Sequence, residues 1–187
     1  MVKSPRISVA KYLEFERTAE ERHEFFDGRI IRMAGESLSH SRICVNLTTE
    51  IGSQLRRKNC EALSPNMKVR TANESMFSYP DLTVVCGNPK FHDTKKDVLI
   101  NPTAIFEVLS PSTERYDRGE KFQFYKNETP SLQDYILVSQ DQILIEQFTK
   151  QLDGNWLYRT YQADNNLKIE SIECEIRLED IYLRVEF

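Results

Sequence analysis

Tyr79-Pro80-Asp81-Leu82-Thr83-Val84-Val85-Cys86 and Thr103-Ala104-Ile105-Phe106-Glu107-Val108-Leu109-Ser110-Pro111 are two short runs of β-branched and aromatic residues, each interrupted or bounded by proline. Such runs read as strands of a covered sheet. Each carries one acid, and a carboxylate inside a covered strand costs free energy unless a cation meets it. Asp81 and Glu107, with Lys121 a short loop and a helical turn later, therefore point to a metal site. The competing reading is that Asp81 caps a strand start and Glu107 pairs with a structural arginine, since buried ion pairs also perturb carboxylates.

Pro80-Asp81 followed by Glu107-Val108-Leu109 resembles the PD-(D/E)xK nuclease superfamily. The fuller run Glu107-Val108-Leu109-Ser110-Pro111-Ser112-Thr113, with Asp117, Lys121, Tyr125 and Asp134-Tyr135, resembles its Uma-type restriction endonucleases. Glu24-Phe25-Phe26-Asp27-Gly28-Arg29-Ile30 and His40 extend the likeness upstream, so it covers most of the chain. The resemblance implies an α+β fold with a restriction-endonuclease-like mixed sheet flanked by helices. It also implies hydrolysis of nucleic-acid phosphodiesters, with DNA as the expected substrate, dependent on Mg2+ or Mn2+. By the same likeness Asp81, Glu107 and the main-chain carbonyl of Val108 are metal ligands, and Glu24, His40 and Asp117 lie around them. In one respect the chain departs from the pattern: the superfamily sets a lysine two residues after its acid, and here that residue is Leu109. The resemblance implies that Lys121 supplies the missing ammonium.

With 187 residues and 40% hydrophobic content, the chain fits one domain spanning residues 1–187 with a sizeable core. Cys44, Cys60, Cys86 and Cys174 form no CxxC pair and have no histidine at zinc-finger spacing, so neither a disulfide framework nor a structural zinc is expected. A reducing cytoplasm fits that usage. Residues 1–6 lead into no apolar core segment, and no run approaches the length of a membrane span. The net charge of −4 argues against a general nucleic-acid coat protein, because phosphate binding needs clustered cations. Acidic metal ligands contribute to that sum, and Arg56-Arg57-Lys58, Lys68 with Arg70, and Lys95-Lys96 remain available to a phosphate backbone or to solvent.

Along the chain, Ser8 is placed to cap a helix over residues 9–16. Asp27-Gly28 between two apolar runs signals an N-terminal hairpin, which puts Glu24 on a strand. Ile43, Leu47, Ile51 and Leu55 recur at helical spacing from Ser39 to about Lys58, with His40 on the inward stripe. A lone histidine there is more often a satisfied core residue than a ligand. Residues 61–70 read as one strand interrupted at Pro65, and 71–78 as a loop. Residues 87–101 read as a connecting loop and a candidate substrate-facing flap. Asp117-Arg118-Gly119-Glu120 has the form of a capping box, which would make Asp117 a cap and set Lys121 in the first turn of a helix ended by Thr129-Pro130. Residues 134–139, 143–148 and 156–161 read as a C-terminal antiparallel meander, whose aromatic residues offer a homodimer face.

Magnesium prefers oxygen ligands and needs only one or two carboxylates from a protein. No nucleophile elbow, glycine-rich phosphate loop or histidine-rich zinc set competes. The alternative class is a catalytically silent relative that binds nucleic acid or a protein partner, supported by Leu109 in the lysine position.

Overall fold

The computed structural model describes residues 6–187; residues 1–5 of the leading segment lie outside it. Ser8 caps α1 (Val9–Glu16), its hydroxyl accepting from the Lys11 amide. Strands β1 (His23–Phe26) and β2 (Arg29–Arg32) form the expected hairpin. Asp27 and Gly28 both adopt left-handed φ, 45° and 84°, as a type I′ turn requires. A Cβ on Gly28 would also lie 2.6 Å from the Cβ of Arg6, so glycine is needed there on both counts.

Two sheets and their helices make an α+β fold. The first, of five strands, runs β2-β1-β5-β4-β7, with β4 at Lys68–Arg70, β5 at Met76–Ser78 and β7 at Val98–Leu99. The second, of six, runs β11-β10-β9-β8-β6-β3: β3 is Cys60–Leu63, β6 Leu82–Cys86, β8 Ala104–Leu109, β9 Asp134–Ser139, β10 Ile145–Lys150 and β11 Trp156–Tyr161. It is mixed, since β6 and β8 are antiparallel whereas β8 and β9 are parallel. Strands β12 (Asn166–Ile169) and β13 (Cys174–Arg177) pair separately.

Both faces of the six-stranded sheet are covered, which is why β8 and β9 are buried along their whole length and read as apolar runs interrupted only by Glu107 and by the terminal Asp134 and Ser139. On one face the stripe Ile43, Leu47, Ile51 and Leu55 of α2 (Leu38–Leu55) packs with Val84, Phe106, Val108, Ile136 and Val138. On the other, Val85, Ile105, Leu109, Tyr135 and Leu137 meet Phe122 and Tyr125. Each such fully buried side chain contributes about 1.5–3 kcal/mol of transfer free energy. The alternation decides the chemistry: Glu107 lies between Ile105 and Leu109 in the period-two order, so it faces the side that carries Phe122 and Tyr125.

Several expectations are corrected. Residues 61–70 are not one strand, because the turn at Pro65 carries the chain from β3 in one sheet to β4 in the other. The expected loop over 71–78 contains β5, which pairs with both β1 and β4. The segment 87–101 is no flap: Val98 and Leu99 are buried beside β4, and Arg17 ties down Asp93 and Asp97 at 2.7 Å each. Hydrogen bonding from Arg17 holds the Asp97 carboxyl at about 2. Helix α2 starts at Leu38, capped by Ser37, and ends at Leu55. Asp117 is not a cap either: α3 (Glu114–Tyr116) precedes it, a π-helical turn occupies Asp117–Lys121, and α4 (Phe122–Glu128) follows.

The cysteine reading is also overturned, since Cys60 and Cys86 form a disulfide. They face each other across the antiparallel β3–β6 pair, a register that spacing along the chain cannot reveal. Across a sequence separation of 26 such a link stabilises by about 3–4 kcal/mol on the chain-entropy account. The meander β9-β10-β11 is as expected. After it, α5 (Leu178–Ile181) and β13 turn back to pack with α2. Among the described residues no helix is long and apolar enough to cross a membrane.

Candidate active site

The acids come together because of strand register. Leu82 pairs with Phe106, so the antiparallel ladder continued by one residue sets Asp81 opposite Glu107. The Val108 amide donates to Asp81 Oδ2 at 2.7 Å, fixing the aspartate at the strand entrance. Glu107, on the middle of β8, is 4% exposed.

Opposite β8, the π-helical turn directs Asp117 and Lys121 to the same point. Both are 4% exposed, and Asp117 Oδ1 lies 3.5 Å from Lys121 Nζ. Tyr135 donates to the main-chain carbonyl of Asp117 at 3.0 Å, bracing the widened turn. Such π-turns occur often at functional sites. The Lys121 ammonium is 2.8 Å from Glu107 Oε1 and 3.4 Å from Glu24 Oε1. Glu24, on β1, in turn accepts from the Tyr79 amide at 3.1 Å. His40, in the first turn of α2, turns Nε2 to Asp81 Oδ1 at 3.5 Å. Glu24, His40, Asp81, Glu107, Asp117 and Lys121 thus line one cleft of about 630 Å³.

Leu109, in the position where the resembled pattern has lysine, is 3% exposed and packed with Phe122 and Tyr125. The cation therefore reaches Glu107 from the helix and not from the strand. The two nearby arginines, Arg115 and Arg118, which could also have supplied the cation, point elsewhere. Arg118 pairs with Glu114 and, at 2.6 Å, with Glu146, while Arg115 lines a shallow hollow with Pro111 and Gly119. Lys68 and Arg70, open by sequence to a phosphate backbone or to solvent, are committed internally: Lys68 bonds Tyr79 at 3.2 Å and Asp97 at 3.4 Å, and Arg70 bonds His92 at 3.0 Å. Sequence reasoning missed Glu36, Cys44 and Tyr79, which also line the cleft. Cys44 was readable, since it follows His40 by four residues on a helix and so shares its face.

Glu24, Asp81, Glu107 and Asp117 stand against the ammonium of Lys121, and this imbalance sets the protonation. Burial drives the Glu107 carboxyl well above the usual range; Asp117, Asp81 and Glu24 add to this and Lys121 opposes it. Burial works against the Lys121 ammonium, but Glu107, Glu24 and Asp117 override it and hold the amine protonated. Burial likewise disfavours charged His40, and Asp81 and Glu36 reverse that, raising its pKa. Glu107 Oε1 is buried and, although the Lys121 ammonium is close, accepts no aligned hydrogen bond. Carboxylate oxygens thus outnumber the cations of the cleft, a donor set of the kind that hard divalent cations prefer.

A stability profile tests this protonation. Above the unfolded-state value of about 4.3, the folded chain holds protons that unfolded Glu107 has released. Stability is therefore expected to fall as pH rises from there through the raised folded value, and His40 adds a loss in the same direction above about 6.5. Urea midpoints of the metal-free protein between about pH 5 and pH 8 measure the slope. Glu107→Gln should flatten it, and an unchanged slope in that variant would refute the assignment to Glu107.

A mixed sheet with one acid at the entrance of β6 and another on the middle of the adjacent β8, facing a buried lysine, is the class that this fold and cleft define. The chain belongs to the family Uma2, described as "Putative restriction endonuclease", whose model matches residues 9–181. It is 40% identical over 98% of its length to the uncharacterized protein slr1290 of Synechocystis sp. (strain ATCC 27184 / PCC 6803 / Kazusa), covering 95% of that protein. A second protein of that strain, the uncharacterized sll1609, is 34% identical over 85% of the chain and 89% of the relative. The fold is similar to the crystal structure of "a putative nuclease belonging to DUF820" from Anabaena variabilis ATCC 29413. The TM-score is 0.77 at 16% identity, covering 94% of this chain and 97% of that one.

Proposed function

We propose that the protein is a metal-dependent endonuclease that hydrolyses DNA phosphodiester bonds, with Mg2+ or Mn2+ as its ion. Membership of the restriction endonuclease family supports a nuclease. The single observation that carries the finer reading is the approach of Lys121 Nζ to 2.8 Å from Glu107 Oε1, beside Asp81 on the neighbouring strand.

Asp81 and Glu107 would hold the ion, with the Val108 carbonyl beside them. When bound, the ion supplies Lewis acidity, lowering the pKa of a water and offsetting charge on the phosphate oxygens. Lys121, kept protonated by three acids, presents a cation where a phosphodiester gains charge on its way to cleavage. Glu24 and Asp117 orient that ammonium and do not touch the substrate. His40 holds Asp81 from the side away from Val108, so the aspartate is fixed by an imidazole and an amide.

Incubating the purified chain with supercoiled plasmid DNA and, separately, single-stranded RNA tests the reading. Nicked or linear DNA is expected with Mg2+ or Mn2+ and none with chelator. RNA cleavage alone would overturn the DNA assignment. No cleavage of either under any divalent cation would make the protein a silent binder.

A further inference from the structure

A second set of donors, of different chemistry, stands at the mouth of the cleft. Glu36 immediately precedes the Ser37 cap of α2, and His40 and Cys44 follow at four-residue spacing, which turns them to one side of the helix. Glu36 Oε2 lies 3.1 Å from His40 Nδ1, and Cys44 Sγ lies 3.4 Å from the same nitrogen. The three donor atoms all fall within 4.8 Å of one another. Zinc bonds nitrogen and oxygen at about 2.0 Å and sulfur at about 2.3 Å, so a tetrahedral ion spaces N and O by about 3.3 Å and N and S by about 3.5 Å. The separations around His40 Nδ1 are within a few tenths of an ångström of those values.

The other ring nitrogen supplies an independent observation. His40 Nε2 faces Asp81 Oδ1 at 3.5 Å, the carboxylate–histidine arrangement that orients imidazoles which bind metal through their remaining nitrogen. We propose that Glu36, His40 and Cys44 form a thiolate-containing site for a zinc-like divalent cation, with three protein ligands and a water, separate from the oxygen ligands at Asp81 and Glu107. Nitrogen and sulfur donors select zinc over magnesium, whereas the carboxylate set does the opposite, so the two sites take different ions. A metal on Nδ1 fixes His40 as the tautomer that donates from Nε2 to Asp81, which links the two sites through one ring. This proposal does not rest on the nuclease reading, and its test requires no cleavage.

Cobalt titrated into the full chain, with excess Mg2+ present, is the direct test. The expected result is a thiolate-to-cobalt charge-transfer absorption that saturates and is displaced by zinc. Cys60 and Cys86 are closed as a disulfide, and Cys174, the other free thiol, is buried, so Cys174→Ser should keep the band and Cys44→Ser should lose it. Glu36 is exposed, so Glu36→Gln carries the test should Cys44→Ser fail to fold. It should raise the cobalt concentration for half-saturation by about tenfold or more. No band in the parent, a band surviving in folded Cys44→Ser, or an unmoved midpoint in Glu36→Gln would each overturn the site.

Discussion

Lys121→Ala is expected to lower metal-dependent DNA cleavage by about 10²–10³-fold, the scale of removing one positioned charge donor from a phosphoryl or acyl transition state. Leu109 can neither donate a hydrogen bond nor carry charge, and its side chain is sealed in the core beneath the helix. Among the described residues, Lys121 is the cation paired with Glu107, at 2.8 Å. The same substitution removes the partner that Glu24, Glu107 and Asp117 share. Breaking a buried pair costs about 3–5 kcal/mol, so the metal-free variant should unfold at lower denaturant, and Mg2+ should recover part of the loss. Arginine is not a conservative substitute, because its planar fork does not fit a point-charge pocket enclosed by three acids. Retained cleavage in Lys121→Ala, with loss in Arg115→Ala or Arg118→Ala instead, would move the role to the rivals.

Asp81→Asn should give the opposite pairing of effects: cleavage is lost, yet the metal-free fold holds or gains stability. Asparagine keeps an oxygen for the Val108 amide while removing a charge directly opposite Glu107. Relief of that repulsion separates a ligand set from a structural ion pair. The parent should gain about 2.7 kcal/mol from Mn2+ at a hundred times its dissociation constant, and Asp81→Asn should not. Thermal unfolding with chelator and with Mn2+ measures both quantities. A loss of several kcal/mol in chelator with an unaltered Mn2+ shift would show that Asp81 serves packing and not metal.

Much of this centre was legible in the sequence, because a carboxylate in a covered strand is costly and its neighbours must answer for it. That cost singled out Asp81 and Glu107, the family resemblance pointed to Lys121, and the structure brings the three side by side; the hairpin at Asp27-Gly28 placed Glu24 on a strand. The mode of Lys121's approach was not legible: Asp117 and Glu120 have capping-box spacing, yet the chain there widens into a π-helical turn, which local pattern does not signal. The Cys60–Cys86 link and the passage at Pro65 between sheets depend on long-range register, which local pattern does not carry. Residues 87–101 read as a connecting loop and candidate substrate-facing flap because their composition is polar and aperiodic. Arg17, eighty positions from Asp97, anchors that segment from another element.

The Val108 amide has a use beyond holding Asp81 in place. At the end of β8 nearest the cleft, this amide donates to a side-chain carboxylate. A hydrogen bond to an ionised acceptor is stronger than one to a neutral acceptor, and the amide proton's resonance follows that strength. The backbone thus contains its own electrometer: a labelled Val108 amide registers any change of charge at Asp81, whether from a proton, an ion or the ring of His40, with no probe attached to the protein.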